Sequence, residues 1–321
     1  MNIKLRHILL VITLVLMAAP QVQGQFKKNR NKGTSKREIR KRQEEANKKS
    51  QYNKFNELQP MGHKSSQARI DMIWSYETAN TVPIYAGDIS LIAPSRFSTY
   101  RGVEFGGSIA ALPVAPNFYI KKRWKEGGVY VASRHQIYSY APMLYWAQQL
   151  EYPGIFPPNE NLPISIGIKN ELILSKPFLK DLKCGSVKQP YIIITAAAAF
   201  DYGIPIYDTS VEMMERKFFQ QRSGVILGGG GFITARLQGD FYIARDLYGT
   251  MAIRALFSGG EIGNSIENNG LLRYKLTPRF SLSGGYWLTF GKGSEGPIMP
   301  IFDLTYHFGN KQGRQKGLFT R

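Results

Sequence analysis

The chain has 321 residues and a formal net charge of +19, with 42 Lys+Arg against 23 Asp+Glu, 12% aromatics and a single cysteine, Cys184. One thiol forms no intramolecular disulfide, so the fold is not covalently stapled, and cysteine-rich zinc sites are excluded. The slightly negative mean hydropathy, -0.26, does not argue against a membrane β-barrel, in which only alternate strand residues must be apolar.

Residues 1–24 read as an export signal. Lys4, Arg6 and His7 form a basic start, Ile8 to Pro20 an apolar run of 13 residues, and Val22-Gln23-Gly24 the approach to a cut at Gly24/Gln25. The run is shorter than the roughly 17 residues that a spanning helix needs.

Residues 25–69 form a basic arm. Residues 26–69 hold 14 Lys/Arg, among them Lys36, Arg37, Arg40, Lys41 and Arg42, against four Glu, while residues 70–321 carry only +7. The arm is poor in aromatic and β-branched residues and cannot bury a core, so it is expected to be a partly disordered or helical tether. Ser35 to Glu38 is a capping-box pattern, consistent with a short helix over about 36–49. As a docking segment, the arm has two anionic candidates: phospholipid headgroups, at about 1 kcal/mol per basic residue, or an acidic envelope protein. Export and the shortage of interleaved aromatics argue against nucleic acid.

From residue 70 to 308 side chains sort by parity, the signature of β-strands with two unlike faces. Runs at 84–92, 101–111, 163–174, 232–243, 247–257 and 279–308 alternate apolar and polar residues, with further strands at 114–124, 127–135, 189–202 and 266–275. Runs of about ten residues suit tilted strands crossing a bilayer, one face to lipid and the other to a lumen. The fold class is therefore all-β, an antiparallel transmembrane β-barrel of 12 strands, or ten if short segments fuse. The twelfth strand is assigned to 67–76. Three short segments, Ser95–Gly102, Arg245–Gly249 and Leu276–Arg279, read as periplasmic turns. The long connections 136–161, 203–223 and 258–266 read as outer loops, with Tyr138, Tyr140, Tyr145, Trp146 and Tyr152 as candidates for an aromatic girdle and Val211 to Gln221 as a possible helical turn. Residues 309–321 form a basic tail, in the periplasm with the arm.

Parity places Asp88, Glu104, Lys169, Glu171, Arg236, Asp240, Arg254 and Asp303 in the lumen. Rings of one sign make a selective pore, whereas this mixture predicts internal ion pairs and a plugged or narrow barrel. A second candidate is a trough of small residues. If 203–223 is a hairpin connection centred near 213, then Ala196, Ala197, Ala198 and Ala199 meet Gly228, Gly229, Gly230 and Gly231, with Ala197 opposite Gly229. Such a trough takes a plug on its inner side or a flat partner on its outer side, unless the glycines only ease sheet curvature. Ser133 and His135 share one strand face, the spacing of a Ser–His pair, but no third group orients them. No catalytic residue, metal ligand or cofactor is assigned.

The export signal, the parity pattern and the terminal strand Pro300-Ile-Phe-Asp-Leu-Thr-Tyr-His-Phe308 resemble outer-membrane β-barrels of Gram-negative bacteria. Tyr274-Lys-Leu-Thr-Pro-Arg279, ahead of the last hairpin, is similar to a turn of such barrels in the Bacteroidota. The resemblance implies an outer-membrane location with outer-membrane lipid around the wall. It names no activity. The 13-residue tail departs from it, because such barrels usually end on the aromatic residue that the assembly machinery reads. The expectation is a non-enzymatic structural or accessory subunit of an envelope assembly, docking through its basic segments; the alternatives are a narrow passive channel for small solutes and an outer-membrane lipid or peptide hydrolase.

Overall fold

The structure, a computed structural model, describes residues 74–83, 86–149, 161–181, 188–207, 221–244, 247–258, 263–276, 279–291 and 298–308. The export signal, the basic arm with Lys36, Arg37, Arg40, Lys41 and Arg42, and the tail 309–321 lie outside the described residues.

Twelve antiparallel strands close into a barrel. They are β1 (Gly87–Ser90), β2 (Ser95–Tyr100), β3 (Val103–Gly107), β4 (Asn117–Lys125), β5 (Tyr130–Tyr138), β6 (Ser165–Asp181), β7 (Lys188–Pro205), β8 (Gly231–Ala244), β9 (Leu247–Ser258), β10 (Asn264–Lys275), β11 (Phe280–Gly291) and β12 (Met299–Phe308). Each pairs with its neighbour in sequence, and β1 closes the circle on β12, with Gly87 opposite Phe308 and Ser90 opposite Thr305. Closure removes the sheet edges that lipid cannot satisfy.

The wall is inside-out by the standards of a water-soluble protein. Ile166, Leu172, Leu174, Leu237, Ile253 and Leu282 are exposed on its outer face, while Ser175, Thr195, Gln238, Glu267, Ser281 and Ser283 are buried within. Period-two alternation produces both faces from the same strands. Apolar contacts inside are confined to small groups such as Trp74 with Ile193 and Tyr248, and Ala79 with Ala132 and Ile173.

Two strand assignments are corrected. Ser95–Tyr100 is not a turn but β2, which pairs with β3 from Ser95↔Gly107 to Tyr100↔Val103 through an irregularity. Only six residues long, it lies between two tight connections whose Pro94 and Gly102 read as turn residues. The twelfth strand does not come from 74–76, the only described residues of the segment 67–76: they are not strand and belong to a stretch running inside the barrel, and the circle is completed without them.

The seam between β1 and β12 is uneven. β11 pairs with β12 from Tyr306 to Met299, but β1 ladders only with Thr305–Phe308. Leu91 N–H then donates to Leu304 O at 3.1 Å, so even-numbered residues of β12 turn their backbone groups toward that side. Pro300 occupies one such position, where its lack of an N–H leaves one less donor unpaired.

The end of the barrel opposite Gly87 and Phe308 is capped. In the β5–β6 connection, α1 (Ala141–Gln149) packs Leu144 and Ala147 against Leu162 and against Ile226 and Leu227 of α2 (Ser223–Leu227) in the β7–β8 connection. The chain leaves α2 through Gly228 and Gly229, at φ +91° and +84°, a region that side chains disfavour. Gly203 receives the returning chain: Gly229 N–H donates to Gly203 O at 2.8 Å, and a Cβ on Gly203 would collide with the Val225 backbone.

Candidate functional site: the filled lumen

Residues 74–82 run inside the barrel and are almost wholly buried, with Thr78 and Ala79 at 0% exposure. Their composition, Trp-Ser-Tyr-Glu-Thr-Ala-Asn-Thr-Val, is mostly polar. Even with two aromatic rings, Trp74 and Tyr76, it suits a polar lumen better than a bilayer or a dry core. The stretch makes no ladder of its own, so its backbone must find partners among the wall side chains.

It finds them at successive levels. Near the terminal end, Trp74 packs edge-on against Tyr248 with centroids 5.8 Å apart, and Arg96 donates to Trp74 O at 3.0 Å. Arg96 also binds Asp88 at 2.7 Å. Lys121 donates to Tyr76 O at 2.9 Å and to Thr78 O at 3.3 Å, and pairs with Glu104 at 2.8 Å. Ala79 N–H donates to Ser175 Oγ at 2.8 Å, and Val82 N–H to Glu104 Oε2 at 3.0 Å.

Glu77 anchors the centre. Arg254 donates to both of its carboxylate oxygens, at 2.7 and 2.9 Å. Arg236 lies 3.3 Å from Glu77 Oε2, donates to the Glu77 backbone oxygen at 2.9 Å, and reaches Glu171 at 3.0 Å. Arg134 closes the chain of charges by pairing with Glu171. Mixed signs inside the wall thus become a connected network, one of whose two carboxylates, Glu77, comes from the inserted segment.

Burial raises the Glu77 carboxyl, but Arg254 and Arg236 outweigh it and hold its pKa at about 2, below its ordinary 4.5. The folded value is the lower one. Its stabilisation is therefore fully present above the unfolded pKa and lost as pH falls through the folded one. Barrel stability in detergent is expected to decline as pH falls from 4.5 toward about 2, with a shallower decline in Glu77→Gln. Equal slopes in chemical-denaturation midpoints would show that this carboxyl is not the sensor.

The remaining sequence-predicted lumen residues take several positions. Asp240 accepts from Gln238 at 2.8 Å and Thr250 at 2.7 Å. Asp303 accepts from Ser90 at 2.8 Å and from Ile92 N–H at 2.9 Å, tying the seam. Lys169 stands across the β6–β7 ladder from Asp201, whose carboxylate accepts the Tyr138 hydroxyl. Arg222, just ahead of α2, binds Glu267 at 2.6 Å. The sequence reading missed Glu77, Arg96, Lys121, Arg134 and Glu267. Phe118, Ile120 and Trp124 share the outer parity, a signal that could have placed Lys121 within.

The trough does not form. β7 and β8 pair as Ala198↔Ala235 and Tyr202↔Gly231, so Ala197 faces Arg236 rather than Gly229. The connection is not a symmetric hairpin: α2 and the glycine turn take up Ser223–Gly230. Only Gly231 belongs to β8, and the alanines divide, with Ala196 and Ala198 outside, Ala199 buried and Ala197 packed beside the Ala79 cluster. Tyr138 and Tyr140 form no girdle; they pack with each other and with the group around Val225, Phe232 and Leu256. Ser133 and His135 do share the outer face but bond elsewhere: Ser133 accepts from Trp124 at 2.9 Å, and His135 Nδ1 lies 2.7 Å from Asn170 Oδ1. Of Val211 to Gln221 only Gln221 is described; the observed helix begins at Ser223.

No protein-family model matches the chain, and no curated protein matches it significantly. Among solved structures it is similar to OmpT, an outer membrane protein of Vibrio cholerae. The loop L8 deletion mutant is 7% identical over 67% of this chain and 62% of that one, with a TM-score of 0.38. The outer-membrane expressed form is 8% identical over 67% and 64% (TM-score 0.35), and the in-vitro folded form 8% over 67% and 63% (TM-score 0.33). The chain spans slightly less than two thirds of the length of these structures, and at such identities nothing of their function passes to it. Its own closed circle of twelve antiparallel strands, apolar outside and polar within, is that of an outer-membrane-type β-barrel.

Proposed function

We propose that this protein is a non-enzymatic, plugged barrel of the Gram-negative outer membrane that serves as a structural or accessory subunit of an envelope assembly. The observation that carries the reading is residues 74–82, which occupy the lumen and are bound there by Arg96, Glu104, Lys121, Arg236 and Arg254. A segment fixed in the lumen obstructs a passive path for solutes, and it gives the chain ahead of it an anchorage in the wall. The fixed segment follows the basic arm directly in sequence, so a load on the arm passes into the wall through these bonds.

In this reading the arm and the tail lie in the periplasm. Connections at the terminal end of the barrel are short, as at 101–102, 126–129 and 245–246, while 139–164 and 206–230 at the other end are long. Outer-membrane barrels keep short turns in the periplasm and long loops outside. On that side the arm meets anionic headgroups or an acidic partner protein, and both attractions weaken with salt.

Two measurements test this. In planar bilayers the full chain is expected to be electrically silent; steady ohmic steps at neutral pH would replace the accessory reading with the channel. Purified in mild detergent from its native membrane, the full chain is expected to retain an envelope protein that a chain lacking 25–69 loses. Identical companions for both forms would remove the docking role of the arm.

A further inference from the structure

The outer wall carries an exposed polar pair where β5 and β6 meet; the outward pair Tyr286–Asn268 on β11 and β10, by contrast, is tied back to Ala252 O. His135 on β5 and Asn170 on β6 are exposed on the outer face, directly opposite each other in the ladder and joined at 2.7 Å. Outward Ile166 and Ile168 lie beyond Asn170 on one side along β6, Leu172 and Leu174 on the other. The polar pair thus sits in the middle of the apolar band, where an ionisable or polar side chain is costly against acyl chains. The neighbouring polar residues have partners within the chain. Ser133 accepts from Trp124, and Lys122 lies 3.8 Å from the centroid of the Trp124 ring.

The His–Asn pair has capacity left over. With Nδ1–H donating to Asn170 Oδ1, His135 keeps Nε2 as an acceptor and Asn170 keeps its amide N–H groups as donors. One donor beside one acceptor is self-complementary about a two-fold axis, since Asn170 of each copy meets His135 of the other.

The relief of the wall obeys the same symmetry. On one flank His135, Asn170, Leu172, Ala198, Phe200 and Ile233 are among the residues that line a hollow of about 440 Å³. Its floor continues sideways through Ala198, Ala235 and Ala255, which stand side by side on β7, β8 and β9. On the other flank β4 forms a ridge, with Phe118, Ile120 and Trp124 at 62%, 49% and 53% exposure. An axis along the membrane normal between β5 and β6 sets β4 of one copy against β7 of the other, ridge into hollow. Small residues allow such close approach where lipid offers no hydrophobic drive.

We infer that β4–β8 form the interface of a homodimer within the membrane, its two-fold axis passing between His135 and Asn170. This inference does not rest on the accessory role; a dimer is compatible with a channel or an enzyme. It is tested in native-membrane vesicles with the full chain in a Cys184→Ser background. Ile120→Cys combined with Ala198→Cys is expected to give an oxidised dimer, while Leu272→Cys combined with Phe302→Cys, on the opposite wall, gives none. His135→Leu with Asn170→Leu is expected to lower the dimer-to-monomer ratio in lipid nanodiscs about tenfold, through the loss of two interfacial hydrogen bonds. Ala198→Trp, which fills the hollow, should act likewise. Heat-modified gel mobility confirms that each variant is a folded barrel. A monomer in native lipid, equal crosslinking from the opposite wall, or a different protein or a stoichiometric lipid held in the hollow would overturn the inference.

Discussion

Replacing Glu77 by alanine is expected to cost the barrel about 3–5 kcal/mol, the range for removing one partner of a buried ion pair. Glu77 is the described carboxylate that reaches Arg254, and it shares Arg236 with Glu171. All of these groups are enclosed by the wall, so water cannot replace the lost oxygens cheaply. The unfolded chain has no such difficulty, because its arginines are solvated. Glu77→Gln keeps the shape and one acceptor and should cost less. Urea unfolding in lipid vesicles gives the number. The same variant has a second consequence. With Glu77 gone, residues 74–82 keep backbone bonds to Lys121, Arg96 and Glu104 but lose the central anchor. Intermittent conductance and faster labelling of Thr78→Cys are therefore expected in Glu77→Ala. An unchanged unfolding midpoint together with a silent, unlabelled barrel would mean that the ion pairs do not hold the segment.

The closed barrel was legible because it is written in parity, and parity is a local property. Ile166-Gly-Ile-Lys-Asn-Glu-Leu-Ile-Leu needs no knowledge of its neighbours to announce two faces. Register was less legible. Pairing of Ala198 with Ala235 depends on where α2 and the Gly228–Gly229 turn end, and a seven-residue displacement from the assumed symmetry moved every alanine away from a glycine. β2 was hidden by length, since six residues between two turns look like a longer turn. The inserted segment was the least legible element. Ser75, Glu77 and Thr81 alternate with Trp74, Tyr76 and Val82 well enough to imitate a strand, and only the partners reveal that both parities are buried. The mixed signs of Glu171, Arg236 and Arg254 foretold internal pairing, but the residue completing the pairing, Glu77, lies in a segment whose course depends on the whole barrel.

Lys121 and Glu104 offer the sharper energetic test, because both side chains are 0% exposed and each holds the inserted segment as well as the other. Lys121 donates to the Tyr76 and Thr78 carbonyls, while Glu104 accepts from Val82 N–H and from the Tyr119 hydroxyl at 3.0 Å. Lys121→Met alone strands a buried carboxylate, and Glu104→Gln alone strands a buried ammonium; each is expected to destabilise by about 3–5 kcal/mol. The double variant strands neither charge. It still forfeits the bonds to Tyr76 O and Thr78 O, so it does not return to the native level, but it should be more stable than the sum of the singles by about 2 kcal/mol or more. Measured by reversible urea unfolding in vesicles, a coupling near zero would mean that the lumen is wet enough to solvate both groups separately. In that case the segment would be held by its backbone bonds rather than by the charges around it.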